Sequence, residues 1–155
     1  MDIVVRRASY KDATDIMALC RNTILNVNVK DYTPEQVKVW SDRANDVDRW
    51  YAKIKEQYFL LAEQGSIVVG FASISDAGYL DFLFVHKDFQ QMGIASLLYS
   101  EIEQFAKQNS FDKITSDVSL TAKAFFERKG FKVVKAQQVA VQDETLSNFL
   151  MEKNL

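Results

Sequence analysis

The sequence predicts an α+β fold, a mixed and mostly antiparallel central sheet of about seven strands flanked by helices on both sides. Three observations predict it. Residues 58–85 hold three apolar runs separated only by short turns, the pattern of consecutive antiparallel strands. Tyr79 to Lys107 is an apolar run that passes through a polar turn into an amphipathic helical pattern. Helical periodicity fills the first third and returns near 94–107 and 121–129, so helices both precede and interrupt the strands.

In chain order, Ile3 to Arg7 is a short strand. Ser9-x-x-Asp12 resembles a capping box with Asp for the usual Glu, and it opens a helix with apolar residues at 13, 16, 17, 19, 20 and 24. Asn26 to Asp31 breaks that pattern. Thr33-Pro34-Glu35-Gln36 starts the next helix, with Thr33 as N-cap, Pro34 at the first helical position and Gln36 closing the box; Val37 and Trp40 should face inward. Asp46 or Asp48 begins a shorter helix holding Trp50, Tyr51 and Ile54. Tyr58 to Ala62 and Ile67 to Ser75 form a hairpin around Gly65, and a turn at Asp76-Ala77-Gly78 leads into the strand Tyr79 to Val85. The long helix is followed by a strand, Lys113 to Ser119, and a helix, Thr121 to Lys129, stopped by Gly130 as a left-handed cap. Two strands, Phe131 to Val141 and Leu146 to Met151, complete the order.

Residues 79–85 are apolar except for Asp81, which predicts a strand buried on both faces. His86 to Gln91 forms the turn, and Gly93 leads into a helix with apolar residues at 94, 97, 98, 102, 105 and 106. At such a junction the first N–H groups of the helix lack intrahelical partners and the helix dipole adds partial positive charge, so a phosphate is favoured there. Gly93 would let it approach the main chain, and Ala95 keeps the next turn narrow.

The pattern Gln90-x-x-Gly93-x-Ala95, directly after Phe84-Val85, resembles the acyl-CoA-binding motif of the GNAT superfamily of N-acetyltransferases. Ser119 to Phe131, SLTAKAFFERKGF, resembles that family's following block, a short helix closed by Gly-Phe. The resemblance spans roughly the second half of the chain. It implies a GNAT-like fold with acetyl-CoA as co-substrate, no metal, and a strand 79–85 splayed from strand 113–119 with the pantetheine arm between them. It further implies that the main chain of Leu83, Phe84 and Val85 binds that arm. The Gln90 motif and the amides of Gln91, Met92, Gly93, Ile94, Ala95 and Ser96 would hold the pyrophosphate, with Ser119 and Phe126 beside the cofactor. Two positions depart from the family: Phe126 stands where a Tyr often protonates the departing thiolate, and Ser119 where Asn is frequent. The acid would then be Tyr79 or a water, or the thiolate would leave unaided, which a thiol with a pKa of about 8.5 permits.

Acetyl transfer needs a neutral amine, so a base must remove a proton. Asp81 is one candidate, because desolvation in an apolar strand favours a neutral carboxyl and the family often carries a Glu base at this position; a structural, hydrogen-bonded Asp is the alternative. His86 is the second candidate, since imidazole titrates near neutrality. Tyr32, Trp40, Trp50 and Tyr51 form an aromatic set in the helical third, suited either to walling an acceptor pocket or to packing.

The 155 residues, 48% hydrophobic and 26% charged, fit one globular domain spanning 1–155. A net charge of −2 gives no electrostatic ground for a nucleic-acid partner. The single cysteine, Cys20, excludes an internal disulfide and reads as a structural thiol in a reducing compartment, and no run reaches the roughly 18 apolar residues of a membrane span. A cytoplasmic location without a membrane partner is expected, and a homodimer is compatible with the sequence. The chain lacks G-x-G-x-x-G and Gly-Lys-Ser/Thr, which argues against dinucleotide and P-loop chemistry. Two functions stand: N-acetyltransfer from acetyl-CoA to a primary amine of a small molecule or peptide, by direct attack in a ternary complex, or a non-catalytic acyl-CoA-binding sensor.

Overall fold

The computed structural model describes residues 2–155. Strands β1 (Ile3–Arg7), β2 (Tyr58–Gln64), β3 (Ile67–Ile74) and β4 (Leu80–Val85) form an antiparallel sheet in that order. Strands β5 (Lys113–Ser119), β6 (Lys132–Val141) and β7 (Glu144–Asn154) form a second antiparallel sheet, ordered β5-β7-β6. The expected seven strands are present, but they lie in two sheets rather than one. A single parallel bridge, Tyr79 to Thr115, joins them. It is supported by Thr115 N–H donating to the Gly78 carbonyl at 3.0 Å and Ser116 Oγ donating to the Leu80 carbonyl at 2.7 Å. Past Leu80 the two strands part, and a cleft opens in the fork between them.

Helices α1 (Ala13–Asn26), α2 (Pro34–Arg43) and α3 (Val47–Glu56) cover one face of the first sheet, and α4 (Ile94–Gln108) covers the other, with α5 (Lys123–Arg128) near α4. The start signals act as expected at α2, where Thr33 Oγ1 accepts from Gln36 N–H at 3.1 Å and Gln36 Oε1 accepts from Thr33 N–H at 2.9 Å. Ahead of α1 the expected Ser9/Asp12 capping box also forms. Asp12 accepts from Ser9 N–H at 2.8 Å, but its carboxylate also receives Arg6 at 2.9 and 3.0 Å. The first turn is a 3₁₀ segment, Tyr10–Asp12, and the α-helix begins at Ala13.

Each face of the first sheet has its own core. Toward α1 and α3 it buries Ile16, Trp50, Phe59, Phe71 and Phe82, with Trp50 centred 4.7 Å from Phe82 and 5.6 Å from Phe71. Toward α4 it buries Leu60, Ala72, Ile74, Leu80, Leu98 and Ile102. Leu80 and Phe82 are two apart in sequence yet face opposite cores, which a regular strand forbids. The register explains it: Ile74 pairs with Leu80 and Ser73 with Phe82, so Asp81 is the extra residue of a β-bulge. The strand is therefore not buried on both faces throughout. Asp81, Leu83, Phe84 and Val85 are half-buried, because past the bulge one edge of β4 looks into the fork. Among the described residues, no helix is long and apolar enough to cross a membrane.

Candidate functional site

A cleft of about 740 Å³ fills the fork. Its floor is β4 and the inner edge of β5. From the α1–α3 side it is walled by Thr23, Asn28, Tyr32, Trp40, Arg43 and Arg49, and from the α4–α5 side by the turn before α4 together with Phe125, Phe126 and Arg128. The sheet is thus open to both faces at one place, because β5 does not pair with β4 beyond Leu80.

The edge of β4 carries unused main-chain groups. His86 N–H donates to the Val69 carbonyl on β3 at 2.8 Å, so two-residue alternation turns Phe84 toward β3 and Leu83 and Val85 toward the cleft. The Val85 carbonyl is already engaged by Thr23 Oγ1 at 2.9 Å and Gln90 Nε2 at 2.8 Å. Of the three residues expected to bind a ligand through the main chain, Phe84 is committed to the sheet, and Leu83 offers both its N–H and its carbonyl. This edge can bind an extended, amide-bearing chain as an added strand would.

Gln91, Gly93, Ile94, Ala95 and Ser96 all border the cleft, as Gln90 does, while Met92 points its side chain outward and is 55% exposed. Gln91 and Gly93 both adopt left-handed backbone, at φ 59° and 80°. Glycine readily holds that angle, and a Cβ at Gly93 would meet no protein atom within 4 Å. Alternating left-handed residues before a helix turn successive N–H groups toward one concavity, a geometry that receives anions. Arg128, which belongs to no motif singled out above, adds positive charge on this side of the cleft.

At the bulge, Asp81 Oδ2 receives both Lys53 Nζ and Gln57 Nε2 at 2.8 Å. The expected isolated, desolvated carboxylate is instead an ion-paired one. Its second oxygen, Oδ1, has no hydrogen-bond donor among the described residues, and the side chain borders the cleft. His86 does not reach the site: its Nδ1 accepts from Asp88 N–H at 3.0 Å within the turn, its ring stands edge-on to Phe89 at 5.1 Å, and it does not border the cleft. An imidazole closing its own turn is a poor proton shuttle for a site it does not face.

Of the aromatic set, Tyr32 and Trp40 border the cleft and meet edge-to-face at 5.4 Å. Tyr32 Oη is already used, donating to the Ser147 carbonyl at 2.7 Å and accepting from Leu120 N–H at 2.9 Å. Trp50 does not border this cleft. It has no exposed surface, and its indole N–H donates to the Ala44 carbonyl at 2.8 Å, so it is core. Tyr51, 43% exposed, lies outside the cleft as well. Ser119 caps the turn before α5, its Oγ accepting from Ala122 N–H at 3.1 Å. Phe126 borders the cleft but is 3% exposed, with Phe131 at 5.0 Å. Tyr79 also borders it; burial first, then its hydrogen bond to Asp117 Oδ2 at 2.8 Å, pushes its hydroxyl well above the usual tyrosine range. Thr121 Oγ1 is buried at the cleft wall with no hydrogen-bond partner among the described residues.

Two arginines were also missed. Arg43 ends α2 and Arg49 lies in the first turn of α3, and both border the cleft. Burial and then the neighbouring Arg43 lower the Arg49 pKa, with Asp81 opposing them. Single-sequence reasoning places such residues on solvated helix faces; the packing of α2 and α3 against α1 sets both at the cleft, Arg43 exposed and Arg49 half-buried.

Comparison with known proteins agrees with this arrangement. The profile of the acetyltransferase (GNAT) domain matches residues 28–155. The N-acetyltransferase YafP of Escherichia coli (strain K12) is 31% identical over 150 residues, covering 97% of this chain and 95% of that protein. A GCN5-related N-acetyltransferase structure from Rhodopseudomonas palustris superposes with a TM-score of 0.95 at 28% identity, covering 100% of this chain and 97% of that one. The PaiA N-acetyltransferase of Thermoplasma acidophilum, solved in complex with coenzyme A, shares the fold with a TM-score of 0.83 at 22% identity over the whole of both chains. A forked pair of sheets, a bulged strand at the fork and a left-handed turn into α4 thus accompany a family match over most of the length: this chain belongs to the GNAT family of acetyltransferases.

Proposed function

We propose that the protein transfers the acetyl group of acetyl-CoA to a primary amine, by direct attack while both substrates are bound, and that it does so in the cytoplasm. The observation that carries this reading is the opening of one cleft to both faces of the split sheet. One mouth presents an unpaired strand edge at Leu83 followed by the left-handed turn at Gln91 and Gly93, which suits a pantetheine arm and its pyrophosphate. The complex of the Thermoplasma relative with coenzyme A supports the assignment of the ligand. The other mouth leads past Tyr32 and Trp40 to Asp81, so an acceptor can reach the thioester from the opposite side without displacing it.

Asp81 serves as the base through Oδ1, directly or through a water, while Lys53 and Gln57 hold Oδ2 in place. The amine lone pair attacks the thioester carbonyl carbon, the C–S bond breaks, and the electron pair leaves with sulfur. Phe126 cannot protonate that sulfur, and Tyr79 is held by Asp117, so the thiolate departs unaided or takes its proton from water. Thr121 Oγ1 is placed to hydrogen-bond the bound acyl-CoA and would gain its missing partner.

The absence of a hydroxyl at Phe126 favours a second reading, a sensor that binds acyl-CoA without turnover. CoA release, read as free thiol with a panel of amines, separates the two. Cys20 adds no background, because burial pushes its thiol up to about 12 and leaves it 3% exposed. Acceptor-dependent release is expected; tight CoA binding with no release for any amine would establish the sensor.

A further inference from the structure

We infer that the acceptor carries an anionic group close to its amine, as an amino acid does, and that Arg43 and Arg49 hold that group while Asp81 receives the amine proton. The inference rests on the transferase reading above and narrows its substrate class. Three observations carry it. Neither guanidinium has a carboxylate within ion-pair distance among the described residues, since every ion pair there uses other groups. Both arginines border the acceptor side of the cleft, and Arg49 is half-buried there, its guanidinium 5.6 Å from the Phe82 ring and 5.9 Å from the Trp50 ring. Of the two carboxylates that border the cleft, Asp81 is already matched by Lys53, and Asp117 accepts from Tyr79 Oη and Gln137 Nε2.

Arg49 is half-buried beside the exposed Arg43 with no carboxylate in ion-pair contact, so an anion that reaches both guanidiniums would supply the partner that Arg49 lacks. The same wall repels an acceptor whose only charge is its ammonium. A zwitterion meets it differently, because its oxyanion accepts from the two planar guanidiniums and its ammonium is drawn to the Asp81 carboxylate. Arg49 and Asp81 border the same cleft, which fits an amine and an oxyanion on one small molecule.

The test compares matched acceptors: amino acids, the amines formed by removing their carboxyl group, and aminoalkylphosphonates, each scored by kcat/KM for CoA release. Wild type should prefer the anion-bearing member of its best pair by about 10-fold or more, and the preference should collapse by about 10- to 100-fold in Arg49→Gln and in Arg43→Gln, mainly through acceptor KM. Preference for phosphonate over carboxylate would identify the oxyanion. Calorimetry of the same acceptors on the CoA-loaded protein gives a readout independent of turnover, with binding of the anion-bearing member lost in both variants. Higher turnover of the decarboxylated amine by wild type would overturn the inference, as would a selectivity ratio unmoved in the double variant, or no binding of any amino-bearing anion. Each of those results leaves the transferase reading intact, whereas that reading fails only if no amine of any kind releases CoA.

Discussion

Gly93 offers a test in which conformational strain and ligand contact can be separated. Replacing it with Ala forces an L residue to hold φ 80°, which costs about 1–2 kcal/mol. No protein atom lies within 4 Å of the new Cβ, so no clash adds to that figure. For a chain of this size the cost corresponds to a fall in Tm of roughly 3–6 °C. If the pyrophosphate lies against the amides that follow Gln91, the methyl also intrudes on the ligand, and CoA affinity should drop by about 2 kcal/mol, roughly 30-fold. Gly130→Ala is the matched control: its φ is 94°, its Cβ would meet only the flexible end of Lys153 at 3.4 Å, and it is not part of the cleft. Thermal melts and titration calorimetry with CoA on both folded variants complete the comparison. Both should lose comparable thermal stability and only Gly93→Ala should lose affinity. Equal CoA affinity in the two variants would refute the placement of the pyrophosphate at this turn.

Four further outcomes follow from the structure. Asp81→Asn should lower kcat by about 10²- to 10⁴-fold with CoA affinity kept, and a normal rate near neutral pH would assign Asp81 a structural role with Lys53 and Gln57. Phe126→Tyr should raise turnover, more at pH 7 than at pH 9, because a hydroxyl at the cleft wall helps a leaving thiolate most below the thiol pKa; a flat rate with a lowered Tm would mean the hydroxyl is buried without a partner. Trp50→Ala should cost about 3–5 kcal/mol in denaturant unfolding, since the indole fills the core between Phe71 and Phe82, whereas a small loss with altered acceptor KM would return Trp50 to the site. Asp12 is held below the usual carboxylate range chiefly by its hydrogen bonds to Arg6, so its contribution is present above the unfolded value of about 3.9 and lost as pH falls through the folded one. Acid unfolding below about pH 4 should therefore lose part of its pH slope in Asp12→Asn, and an unchanged slope would show the pair to be inconsequential.

What could be read in advance divides along a physical line. Thr33-Pro34, the hairpin around Gly65 and the glycine-led entry to α4 are local signals, set by backbone angles and orphan N–H groups a few residues apart, and each is realised in the structure. The surroundings that could not be read depend on partners distant in sequence. Asp81 looked like a lone carboxylate because Lys53 and Gln57 lie 28 and 24 residues away on α3 and just after it. Trp50 and Trp40 are alike in composition and helical setting, yet one is sealed by Phe71 and Phe82 while the other borders the cleft.

The bulge at Asp81 shows why the central strand was the hardest element to read. A run that is apolar on both sides of Asp81 carries no period-2 signal, so the extra residue leaves no mark on the alternation while exchanging the faces of every residue beyond it. That exchange has two consequences. It sends Phe82 into the α1–α3 core and Leu80 into the α4 core, which anchors β4 from both sides where it leaves β5. It also releases Asp81 from either core and sets it at the fork. The same irregularity therefore places the proposed base at the point where the two sheets part, and Arg43 and Arg49 come to border the same cleft through the packing of α2 and α3 against α1.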